Sequence, residues 1–219
     1  MVSLISIRKR NPVCPSDGPV VESQAHSQAA ARHVMIIIDN RMGSSYQIGV
    51  RVNTKENDDK VTVVSADTSE QVRRAKELCE EYARSLGFEL DFQDFDDELA
   101  SFPGCYAPPG GCLFVATVGE RTVGCVGLRK LSPDVCEMKR LYVQPRYRRL
   151  KIGRALAEAT IEEARRLGYA RMRLDAIRSM TAAVALYRSL GFNEIQQYCP
   201  NPVEGALFFE LDLSNPDRA

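Results

Sequence analysis

The stretch Leu141-Tyr-Val-Gln-Pro-Arg-Tyr-Arg-Arg-Leu-Lys-Ile-Gly-Arg-Ala-Leu156 runs from an apolar strand through a basic loop directly into an amphipathic helix. The first turn of a helix carries unpaired backbone N–H groups and the positive end of the helix dipole, so it attracts oxyanions. Arg148, Arg149, Lys151 and Arg154 add side-chain charge around that point. Ile152, Ala155, Leu156, Ala159, Ala164 and Leu167 recur at helical spacing and give the helix a buried face. Glu158, Glu162, Arg165 and Arg166 face water, and Gly168 ends the helix. The pattern predicts a cradle for a phosphate anion, although a plain strand-loop-helix with a solvated basic loop has the same local features.

Upstream, the strand predicted over 135–143 changes phase. Its apolar residues fall at Cys136 and Met138, then at Leu141 and Val143, so the two-residue alternation skips a step near Lys139-Arg140. One extra residue predicts a β-bulge, which splays neighbouring strands and frees main-chain groups beside the basic loop. Freed donors there suit an extended, amide-bearing ligand that pairs as a strand would.

Further out, a strand is predicted over 61–65, then a helix opened by the capping box Thr68-x-x-Gln71, with Val72, Ala75, Cys79, Tyr82, Ala83 and Leu86 on one face. An acidic helical piece follows around Asp91 to Ser101. Closely spaced strands at 112–118, 121–128 and 135–143 predict an antiparallel meander. After the basic loop and its helix come a strand at 170–177, a helix over about 180–190 capped by Ser179, and strands at 192–198 and 206–213. The order implies a mixed α/β sheet flanked by helices. Residues 1–59, rich in Ser, Gln, Asn and Ala, are expected to form a poorly ordered N-terminal extension, 60–213 the folded domain and 214–219 a short tail.

Composition limits the function. Twenty-nine basic and 29 acidic residues leave no net charge, which argues against a dedicated nucleic-acid binder. Seven cysteines lack C-x-x-C spacing, and the two histidines, His26 and His33, lie in the N-terminal extension. No metal site is therefore expected. No apolar run reaches the ~20 residues of a membrane span. The first ten residues carry their charges after a short apolar piece, the wrong order for a signal peptide, so a cytoplasmic location is expected.

These residues together resemble the GNAT superfamily of N-acetyltransferases. Arg148-Arg149-Leu150-Lys151-Ile152-Gly153 is similar to that family's acetyl-CoA loop Q/R-x-x-G-x-G/A, with Lys151 in place of the first glycine. Glu137-Met-Lys-Arg-Leu-Tyr-Val143 resembles the preceding strand, and Ala185-Leu-Tyr-Arg-Ser-Leu-Gly-Phe192 the later A-x-x-L-Y-x-x-x-G-F helix. The tail Asn201-Pro-Val-Glu-Gly-Ala-Leu-Phe-Phe-Glu-Leu-Asp-Leu213 is similar to one group of small bacterial and fungal members, and the likeness runs from about Val61 to Leu213.

The resemblance implies a mostly antiparallel, bulged and splayed central sheet, acetyl-CoA as co-substrate, and direct acetyl transfer to a primary amine in a ternary complex. It implies that the segment Leu141, Tyr142 and Val143 carries backbone groups for the pantetheine arm. Arg148, Arg149, Leu150, Lys151, Ile152, Gly153 and Arg154 would receive the pyrophosphate. It assigns Tyr187 to the proton donor of the departing sulfur. Glu137 stands where histone-acetylating relatives place a general base, and an ordered water is the other candidate. The acceptor expected is a small-molecule amine. Acetylation of protein lysines or N-termini, and a non-catalytic acyl-CoA sensor, are the competing readings, and a homodimer is compatible with the sequence.

Overall fold

The computed structural model describes residues 61–86 and 94–214, together with the backbone strands β1 (Ser6–Ile7), β2 (Val20–Ser23), β3 (Val34–Asp39) and β4 (Gln47–Val52). Those four strands pair antiparallel in sequence order. The rest of the expected N-terminal extension, and residues 215–219 of the tail, lie outside the described residues.

The main sheet is built around β8 (Val135–Val143), the central one of seven strands. On one side stand β7 (Arg121–Lys130), β6 (Cys112–Val118) and β5 (Val61–Ser65), and on the other β9 (Arg171–Ile177), β11 (Ala206–Asp212) and β10 (Asn193–Ile195). All neighbours are antiparallel except β8 and β9. That parallel pair needs a crossover, which is α3 (Ile152–Arg166).

Two apolar layers sandwich the sheet. α1 (Ser69–Ser85) opens on the expected capping box, with Thr68 and Gln71 each bonding the other's backbone. It buries Ala75, Leu78 and Cys79 against Val115, Cys125 and Tyr142. On the opposite face α3 and α4 (Thr181–Ser189) cover the larger core, which includes Phe114, Leu128, Met138, Leu156, Leu174 and Phe209. α2 (Phe95–Ala100) is a short piece on the α1 side, with Phe95 and Leu99 packed on that core.

The phase slip in β8 is a bulge. Cys125 pairs with Tyr142 but Gly127 pairs with Lys139, so Arg140 and Leu141 together oppose Val126. Arg140 takes φ 59, the left-handed conformation of an inserted residue. The slip sorts the side chains: Cys136 and Met138 before it, and Leu141 and Val143 after it, all face the α3 core, while Tyr142 faces α1. The strands also splay, since β8 pairs with β9 only over Val135 to Glu137 and then parts from it.

Two expected boundaries move. Met180, not Ser179, precedes the first turn of α4, and no side chain caps it. The strand expected over 192–198 is only Asn193–Ile195, because the chain then leaves the edge and turns Tyr198 inward to Glu137.

Candidate active site

An open cavity lies in the gap between β8 and β9. Arg140 and Leu141 of the bulge form one wall, and Asp175 and Ile177 of β9 the other. Tyr82 of α1 reaches it from one face of the sheet, and Tyr187 of α4, with Met180 just before that helix, from the opposite face. Asn201 and Val203, from the connection between β10 and β11, line a further side.

The basic loop lies beyond the C-terminal end of β8. Pro145–Tyr147 form one 3-10 turn, after which Arg148, Arg149 and Lys151 are exposed. Arg148 donates through Nε to the Val143 carbonyl at 3.1 Å, and its guanidinium carbon stands 5.9 Å from the Tyr142 ring centre. Lys151 is the residue before the first turn of α3 and has φ 58, while Arg149 has φ 74. Among the described residues four non-glycine residues have positive φ, and Arg140, Arg149 and Lys151 are three of them. Each conformation costs ~1–2 kcal/mol for an L-residue, and such strain collects at ligand sites.

Gly153 has an ordinary φ, and a Cβ added there would meet only Leu186 and Val143, at 3.9 Å. Nothing in the fold itself demands a glycine, so its missing side chain suits the close approach of a ligand. The residues present therefore fit a pyrophosphate at the start of α3.

The other residues expected to hold the donor divide. Ile152 is buried in the core, and Leu150 packs against it. Tyr142 turns its side chain away, donating its hydroxyl to Glu81 at 2.9 Å; burial and that carboxylate push the phenol up to about 12. Arg154 ties the helices together, with Nη2 at 2.5 Å from Ser189 Oγ and Nη1 at 3.2 Å from Glu158. Two of its guanidinium nitrogens thus have partners within the protein.

Tyr187 lies at the cavity with its ring against Phe192 and Phe209. Burial, then the neighbouring Tyr82 and Asp175, raise its hydroxyl above the ordinary phenol range, so it stays protonated. Glu137, the residue in the general-base position by resemblance, is buried and held on both oxygens. It is 0% exposed, Arg129 holds Oε2 at 2.6 Å, and the Tyr198 hydroxyl donates to Oε1 at 2.6 Å.

The acidic piece at 91–101 is partly neutralised within the protein. Asp91 lies outside the described residues, and Glu98 is bound by Arg140, Nε to Oε1 at 2.8 Å and Nη2 to Oε2 at 2.7 Å. Burial alone would raise the Glu98 carboxyl, but Arg140 and the Tyr106 hydroxyl hold it below its usual value. Asp175 is the carboxylate that lines the cavity, and sequence reading missed it. It accepts from Lys139 Nζ at 3.2 Å and from Asn201 Nδ2 at 2.8 Å. The alternation of β9, with Met172, Leu174 and Ala176 in the core, already placed Asp175 on the other face.

A bulged, splayed α/β sheet with an anion cradle at its crossover helix is the architecture of an acyl-CoA-binding transferase. The acetyltransferase (GNAT) family model matches residues 73–192, so the chain belongs to that family and is an acetyl-CoA-dependent N-acetyltransferase of its type. An uncharacterized N-acetyltransferase of Schizosaccharomyces pombe is 40% identical over 141 residues, covering 64% of this chain and 86% of that one. The ribosomal protein bS18 alanine N-acetyltransferase of Escherichia coli is 44% identical over 86 residues, 37% of this chain and 58% of the relative. A Staphylococcus aureus GNAT acetyltransferase shares the fold with a TM-score of 0.59 at 20% identity, over 70% of this chain and 99% of that one. Among the described residues no helix is long and apolar enough to cross a membrane.

Proposed function

We propose that the acceptor is a primary amine of a small molecule, acetylated by direct attack on the acetyl-CoA thioester. The observation that carries this reading is the wall formed by Asn201 and Val203, which bounds the cavity reached by Tyr187 and the bulge. An amine inside that space is held close to the acyl carbon, and orientation is the main contribution this reaction needs.

Acetyl-CoA supplies the activated acetyl group. Exposed Arg148, Arg149 and Lys151, with the first-turn N–H groups of α3, receive the pyrophosphate, and the backbone of Leu141 and Val143 lies along the pantetheine arm. As the nitrogen bonds to the acyl carbon the carbon–sulfur bond breaks, and the protonated Tyr187 hydroxyl donates to the sulfur. The amine proton leaves through a water in the cavity, since Glu137 and Asp175 each have both carboxylate oxygens engaged by protein donors.

The identity to the ribosomal-protein alanine acetyltransferase favours a second reading, acetylation of a protein N-terminus. Thiol release from acetyl-CoA, measured against a panel of small amines and free-N-terminus peptides, separates them. Turnover with small amines alone supports the proposal, and turnover with peptides alone overturns it.

A further inference from the structure

Each oxygen of the buried Glu137 carboxylate is taken, Oε2 by Arg129 and Oε1 by the Tyr198 hydroxyl. Tyr198 follows β10 at the start of the segment 196–205, and it is held on two further sides. Its ring meets Phe208 edge-on at 5.6 Å, and the Arg173 guanidinium carbon stands 5.2 Å from its centre. Three residues on, Asn201 Nδ2 donates to Asp175 Oδ2 at 2.8 Å while Asn201 Oδ1 accepts the Val203 N–H at 3.1 Å.

The segment that walls the cavity is thus fastened to the sheet on both sides of the splay, to β8 through Glu137 and to β9 through Asp175. Backbone bonding fastens the far end of the segment, where the Gly205 carbonyl accepts the Arg178 N–H at 2.9 Å, whereas Tyr198 and Asn201, between the end of β10 at Ile195 and that point, are tied to the sheet by their side chains. A hydrogen bond to an ionised acceptor is about twice as strong as a neutral one, which suits a buried carboxylate to this task. A general base instead must be reached by the amine proton, and a carboxylate that is 0% exposed between Arg129 and Tyr198 is not open to it.

We propose that Glu137 is a positioning residue: through Tyr198 it latches the 196–205 segment across the splay and thereby sets the size of amine the cavity admits. The inference rests on the small-amine reading above.

The test uses the full chain and two variants. Tyr198→Phe removes the hydroxyl while keeping the ring contacts and the Glu137–Arg129 pair. Glu137→Gln removes the charge while keeping a hydrogen bond to Tyr198: the amide oxygen accepts from Arg129 and the amide N–H donates to the Tyr198 hydroxyl oxygen. Hydrogen–deuterium exchange of 196–205 is followed with 181–189 as internal reference, and acetyl transfer is measured with 2-phenylethylamine and with trialanine. In Tyr198→Phe, exchange of 196–205 rises at least tenfold while 181–189 and the KM for acetyl-CoA stay within twofold. The ratio of kcat/KM for trialanine to that for 2-phenylethylamine rises at least tenfold. In Glu137→Gln, exchange stays within threefold and kcat within tenfold of the parent. Unchanged exchange in Tyr198→Phe overturns the latch. So does a Glu137→Gln enzyme that keeps its exchange protection but loses over 100-fold in kcat and the acidic limb of its pH profile, which makes Glu137 the base. If the parent acetylates no small amine of the panel, the small-amine reading fails by itself, and the exchange measurement still decides the latch.

Discussion

Lys139 on β8 and Asp175 on β9 meet at 3.2 Å across the gap where the two parallel strands have parted, and their side chains are only 7% and 10% exposed. The pair replaces, with charge, the backbone bonds that the splay removes. Removing one partner of a buried ion pair costs ~3–5 kcal/mol because it strands the other, whereas replacing both is far milder. Lys139→Met and Asp175→Leu should each lower the urea midpoint strongly, and the double variant should be more stable than the sum of the two losses predicts. The coupling expected in that cycle is ~1–3 kcal/mol, and strict additivity would sink the assignment.

Arg140 and Glu98 make a second buried pair, here with a pH signature. The Glu98 carboxyl is held below its ordinary value by Arg140 against the opposing effect of burial. A depressed folded-state pKa contributes stability that is fully present above the unfolded carboxylate value of ~4.3 and lost as pH falls through the folded one. The melting temperature should therefore fall more steeply below about pH 4.5 in the parent than in Glu98→Gln, which lacks the titrating group. Glu98→Gln should also be less stable than the parent at pH 7, since it leaves the Arg140 guanidinium buried with a neutral partner. Parallel pH curves for the two proteins would contradict this account.

Tyr187 stands at the cavity with a hydroxyl that stays protonated. Its removal should cost proton donation to the departing sulfur without touching the nucleotide end of the site. Tyr187→Phe is expected to lower kcat by ~100-fold, the lower range for a general acid, with acetyl-CoA affinity within twofold by calorimetry. Equal turnover numbers would remove Tyr187 from the mechanism.

The parts of this fold legible in the sequence were those carried by local rules. The capping box at Thr68, the helical stripe of α3 and the meander follow from spacing, and the bulge follows from one skipped step in the alternation of β8. What stayed hidden was pairing between residues far apart in the chain. Glu137 reads as a strand glutamate of unknown partner, and only the fold brings Tyr198 to it from 61 positions away. Arg154 likewise reads as part of the phosphate loop, because the distance to Ser189 is set by how α4 packs on α3. The chemistry of a polar residue depends on what it meets, and sequence spacing does not report that.

Lys151 is the position where strain and charge oppose each other most directly. It holds φ 58 at the entrance to α3, a conformation glycine adopts freely and a lysine at a cost of ~1–2 kcal/mol. Its exposed cation stands where the pyrophosphate is proposed to sit, so the charge offsets in binding what the backbone loses in folding. Lys151→Gly should then raise the melting temperature by ~2–4 °C for each kcal/mol recovered in a chain of this size. It should at the same time weaken acetyl-CoA binding, and the loss should shrink as salt is raised because the attraction of an exposed charge is screened. Lys151→Ala separates the two effects: it gives up the charge but keeps the left-handed strain, so it should lose affinity without gaining stability. A Lys151→Gly protein that binds acetyl-CoA as tightly as the parent at low salt would show that the lysine is tolerated at this turn and does not serve the ligand.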